Sequence, residues 1–126
     1  MEKKNVKVDE LTIDGTVYVP KDSVKAPALQ HAGLDYVLVR TYSAGVHVGY
    51  LFTKSGKEVV LVDSIRIWYW SGAASLSQLA TDGTIDPSNC KFSVPVSKIT
   101  LTGAIEIIQV SQDAYLSILG VKSWKK

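Results

Sequence analysis

Residues 36–78 read YVLVRTYSAGVHVGYLFTKSGKEVVLVDSIRIWYWSGAASLSQ, and this run decides the fold class. Tyr36, Leu38, Arg40 and Tyr42 alternate with Val37, Val39, Thr41 and Ser43. That is the period of a strand, whose successive side chains point to opposite faces. Ala44-Gly45 allows a tight reversal, after which Val46, Val48, Tyr50 and Phe52 resume the alternation opposite His47 and Gly49. A glycine at that place leaves room for a second backbone or a ligand to come close. Thr53-Lys54-Ser55-Gly56-Lys57 reads as a polar hairpin loop with Gly56 at the left-handed position. Glu58 to Trp70 is too long for one flat strand, so a bend or bulge is expected at Asp63-Ser64.

Outward from this run, the pattern changes on both sides. Ser71 to Ala80 is rich in small residues, with Leu76, Leu79 and Ala80 at helical spacing. This predicts a short helix capped at Ser71 or Ser75 and stopped by Asp82-Gly83. Lys91 to Val94, then Ile99 to Leu101 and Ala104 to Val110 around Thr102-Gly103, read as further strands. Ser111-Gln112-Asp113 opens a C-terminal helix with Tyr115, Ile118 and Leu119 on the packing side, and VKSWKK reads as a mobile tail whose Trp124 could dock on a neighbour. Upstream, Leu11 to Val19 alternates around Asp14-Gly15, a hairpin signal. The sequence therefore predicts a mainly β (α+β) fold: a small antiparallel sheet, barrel-like or sandwich-like, with one helix after the central strands and one at the C-terminus. Residues 1–20 read as a hairpin arm, 21–35 as a linker containing His31 and Pro27, and 36–126 as a single β-rich domain.

Composition narrows the function classes. At 126 residues with 46% hydrophobic content the chain can build a core without covalent staples. One cysteine, Cys90, excludes an intrachain disulfide and a cysteine-built metal site, and fits a reducing compartment. The formal charge of +2, weighted towards the two ends, is too weak to argue for nucleic acid. No apolar run is long enough to span a membrane, and MEKKNVKVDE lacks the apolar stretch of a signal peptide.

Candidate chemistry concentrates in the central run. It holds both arginines, Arg40 and Arg66, with His47, Trp68 and Trp70. Arg66, Trp68 and Trp70 recur at period two, so one strand face would carry a guanidinium beside two indoles. Such a face suits a flat anionic ligand, since bases stack on rings and phosphates pair with arginine. It would serve equally as an oligomer interface. Thr41 and Ser43 could orient a ribose, and the helix start at Ser75 could offer backbone N–H groups to an anion, although no Walker pattern is present. The expected ligand-binding set is Arg40, Thr41, Ser43, His47, Arg66, Trp68, Trp70 and Ser75. Ser43, His47 and Asp63 could supply a hydrolytic trio, but no nucleophile elbow accompanies them, and two histidines separated by a linker lack metal-ligand spacing. The expectation is a binding protein without catalytic residues, cofactor or metal.

The strings VRTYSAGVHVGYL, GKEVVL, RIWYWSGAASLSQLA, CKFSVPV and AIEII resemble a family of small uncharacterised bacteriophage proteins, from about Val37 to Ile108. The resemblance implies action in the cytoplasm of an infected bacterium and brings no catalytic residue with it. Joined to the arginine and indole pattern, it suggests a counter-defence protein that sequesters a small anionic nucleotide immune signal without degrading it, as a homo-oligomer. The other reading is a phage structural or protein-interaction module that uses the aromatic face as its interface.

Overall fold

The computed structural model describes residues 25–126 together with two short strands, β1 (Leu11–Ile13) and β2 (Thr16–Tyr18). These two pair antiparallel, Leu11 opposite Tyr18, as the hairpin pattern predicts; the Asp14-Gly15 turn lies outside the described residues. The body carries β3 (Tyr36–Thr41), β4 (Val46–Ser55), β5 (Glu58–Tyr69), β6 (Lys91–Phe92), β7 (Val96–Leu101) and β8 (Ala104–Gln109). A helix α1 (Leu76–Asp82) precedes β6, and a second, α2 (Gln112–Leu119), follows β8. The mainly β fold with two helices is thus as the sequence predicts.

All six body strands form one antiparallel sheet. In it, β5 pairs along its length with β4, and its other edge is shared by β7 over the first half and β6 over the second. β3 lies between β4 and β8. β7 and β8 therefore occupy opposite edges, yet only Thr102-Gly103 separates them in sequence. That link is possible only because the sheet curls, bringing Ala104 N within 3.0 Å of Lys57 O at the tip of the β4–β5 hairpin. Among the described residues no ladder joins β7 to β8, so the sheet stays open.

The curl originates where the sequence places its glycine and its break. Register shifts fall between Val48 and Tyr50 and between Leu51 and Thr53, and Asp63 takes φ 51°. Each bulge increases local twist. Gly49 passes so close to β5 that a methyl there would sit 3.1 Å from Leu61 Cβ and 3.1 Å from Ser64 Cα. Of the two readings of Gly49, close approach of a backbone is the one observed. Ser64 Oγ donates to Val48 O at 3.0 Å, satisfying a buried carbonyl beside the bulge. The β4–β5 turn is tighter than the polar run suggests: Ser55 pairs with Glu58, and Gly56, at φ 58°, shares the turn with Lys57 alone.

Curling gives the sheet two buried faces. Val37, Val39, Val59, Leu61 and Leu101 fill the inside of the curl. Tyr36, Leu38, Val48, Ile65, Ile67 and Phe92 form the other face, covered by Leu79, Ala80, Ala114 and Ile118 of the helices. Valines of β3 thus mark one of two cores. Ser75 caps α1 and Ser111 caps α2, each accepting from the backbone N–H three residues on. On α2 the packing side is Ala114 and Ile118, whereas Leu119 is exposed.

The flanking segments lie against this body. Ala28 is buried, its N–H donating to Val110 O, and Lys25 bridges Asp82 and Asp113. At the other end Ser123 pairs in parallel with Phe92, and Trp124 N donates to Phe92 O at 2.8 Å, so the tail runs along β6.

Candidate functional site

The β3–β4 loop decides what the central polar residues do. Thr41 Oγ1 donates to Gly45 O at 2.7 Å and accepts from Ala44 N at 2.8 Å, closing the loop on itself. The Ala44 carbonyl is then turned towards the sheet, where it meets His47 Nε2 at 2.9 Å and accepts from Arg66 Nη1 at 2.8 Å. His47 stands opposite Arg66 in the β4–β5 register, which explains why both reach one acceptor. Burial, and then the Arg66 charge, lower the His47 pKa below its ordinary value, against the opposing effect of the Ala44 bond. Thr41 and His47 are accordingly buried parts of a structural knot, and Arg66 is exposed at its edge.

Arg66 spends one N–H on Ala44 and its remaining guanidinium donors meet no partner among the described residues. Two positions along β5, Trp68 is 64% exposed. Its indole faces that of Trp124 at 6.3 Å between centroids and 14° between planes. Lys91 Nζ lies 5.2 Å from the Trp124 ring, because Lys91 pairs with Tyr69 on the neighbouring strand. Trp68, Trp124 and Lys91 make an open aromatic and cationic surface along the β5–β6 edge, with Arg66 two positions before Trp68 on β5 and reaching towards the β3–β4 loop.

The other expected residues fall elsewhere. Arg40 lies on the opposite sheet face from Arg66, since Val39, not Arg40, stands in register with His47 and Arg66. There it pairs with Glu106, Nε to Oε1 2.8 Å, across β3 and β8. Ser43 is exposed in the β3–β4 loop. Trp70 is half-buried and packs on the helix-covered core. Ser75 spends its side chain capping Gln78 N, and Gln78 Oε1 in turn accepts from Ala74 N, so the protein itself satisfies these helix-start N–H groups. The preceding Ser71 Oγ donates to the Asp86 carboxylate at 2.8 Å. Hydrogen bonds from Asn89 and Ser71 hold Asp86 below the usual carboxylate range.

The expected binding set omitted Lys91 and Trp124, the latter read from the sequence only as a tail residue able to dock on a neighbour. A lone tryptophan in a lysine-rich tail carries no periodicity, and only the parallel pairing of Ser123 with Phe92 places it.

The body is a curled, open antiparallel sheet with two helices on one face. Residues 34–118 match the model of a domain of unknown function, DUF6948, and the chain belongs to that family. No curated protein and no solved structure matches it. The matched span contains Arg66, Trp68 and Lys91, and ends before Trp124. Among the described residues no helix is long and apolar enough to cross a membrane, and no three His, Cys, Asp or Glu side chains gather as metal ligands.

Proposed function

We propose that this chain is a non-catalytic binding protein that holds a small anionic nucleotide on the surface formed by Arg66, Trp68, Lys91 and Trp124. The observation that carries the reading is the exposed pair of near-parallel indoles with Lys91 beside them and Arg66 two positions before Trp68 on β5, neither cation in an ion pair among the described residues. A base stacks on an indole at a gain of roughly 1–3 kcal/mol, and phosphate accepts from the free guanidinium donors. Arg40, Ser43, Trp70 and Ser75 are outside this seat, and Thr41 and His47 support it by fixing the loop on which Arg66 rests. The resemblance to small bacteriophage proteins supports a setting inside an infected bacterium, where sequestering a nucleotide signal would counter host defence.

Calorimetry against cyclic nucleotides and ADP-ribose derivatives tests the proposal. One member should bind, Arg66→Ala and Trp68→Ala should each weaken it at least tenfold, and denaturation should release it unchanged. Silence across the whole panel overturns the reading. The exposed Trp68 and Tyr69 also favour a second reading, an interface between copies or with a partner protein. In that case light scattering would show Trp68→Ala dissociating an assembly.

A further inference from the structure

On the helix-covered side of the sheet, a pocket of about 310 Å³ opens between the segment containing His31, the β5 bulge and α2. Its floor is a tyrosine cluster. Tyr36 meets Tyr50 edge-on at 4.9 Å and Tyr115 edge-on at 4.7 Å between centroids. Tyr50 and Tyr115 join their hydroxyls at 2.7 Å, whereas the Tyr36 hydroxyl has no partner among the described residues although Tyr36 is only 1% exposed. An orphaned buried hydroxyl is unfavourable, and a bound group that completes it removes that cost.

The charge of the wall selects the ligand. Asp63, exposed at the bulge with φ 51°, contributes the one carboxylate, and among the described residues lining the pocket there is no lysine or arginine. Burial, the neighbouring phenols and Asp63 all raise the Tyr36 pKa, so its hydroxyl stays neutral. Ring faces and a carboxylate attract a cation and repel an anion. Ile65 and Leu119 add apolar wall.

We propose that this pocket binds a small protonated amine with an apolar or aromatic body, its ammonium set between Asp63 and the Tyr36 hydroxyl. The site is distinct from the indole surface and its ligand has the opposite charge. Neither proposal depends on the other.

Three probes of one body test it: 2-phenylethylamine, the neutral 2-phenylethanol and the anionic phenylacetate, titrated into the full chain while the tyrosine ring resonances are followed. The amine should bind at least tenfold more tightly than either analogue and move the Tyr36, Tyr50 and Tyr115 signals. Asp63→Asn keeps a side chain that tolerates positive φ and removes the charge, so it should abolish the preference for the amine. Tyr36→Phe should weaken the amine severalfold with an unchanged circular dichroism spectrum, and Trp68→Ala should leave its affinity unaltered. No binding of the amine, equal binding of all three, or a preference that survives Asp63→Asn overturns the assignment.

Discussion

A carbonyl oxygen can only accept, so the contact between His47 Nε2 and Ala44 places the imidazole proton on Nε2 and leaves Nδ1 bare. Nδ1 is buried without a partner among the described residues, and His47 is 0% exposed. Protonation would therefore bury a second N–H donor with no acceptor, beside the Arg66 charge that already disfavours it. The folded-state pKa is depressed, so between that value and the unfolded value of about 6.5 the unfolded chain binds more protons. This contribution to stability is complete above the unfolded pKa and is lost as pH falls below it. The melting temperature should drop from about pH 7.5 to about pH 5, more steeply in the wild type than in His47→Gln. Equal slopes in the two proteins would contradict the account of His47.

At the scale of elements, β4 and β5 carry the curl, and Gly49 is the point at which it is enforced. A methyl at Gly49 would press on Leu61 Cβ and on the Ser64 backbone, both at 3.1 Å, and the backbone cannot rotate out of the way. Gly49→Ala should cost roughly 1–3 kcal/mol, the range for overpacking, read from urea unfolding of both proteins. A neutral result would mean that the two strands separate freely at the bulge. Glycine at this position and Asp63-Ser64 in β5 were both visible in the sequence as irregularities. That they face each other was not, because register is set by the pairing of whole strands and not by either residue. The strands themselves were legible through their alternation. The curl was not, since Tyr36 to Val39 is buried on both faces and such a strand loses the contrast that reveals which face is the core. The indole surface was half legible: Arg66 and Trp68 shared a strand pattern, while Trp124 reached them from the chain's other end. The tyrosine pocket was illegible, because His31, Tyr36, Tyr50, Asp63 and Tyr115 come from separate segments that only the folded sheet and α2 assemble.

Seen as one molecule, the described residues form two cores separated by the thickness of a single sheet, and β3 belongs to both. Leu38 is buried with Tyr36, Phe92 and the helices, whereas its neighbour Val39 is buried with Leu61 and Leu101 inside the curl. Neither core can open without breaking the ladders β3 makes to β4 and β8, so the two should melt together. Leu38→Ala should destabilise by about 2–5 kcal/mol, and Val39→Ala, which removes fewer atoms, by about 1–3 kcal/mol. In both variants tryptophan fluorescence and far-ultraviolet circular dichroism should report one coincident transition. Fluorescence has local meaning here: Trp70 packs on the helix-covered core, and Trp68 and Trp124 lie on the β5–β6 edge. If Val39→Ala lowered the dichroism midpoint and left the fluorescence midpoint in place, the strands inside the curl would be unfolding alone. β3 would then be a boundary between two units, not the strand that couples them.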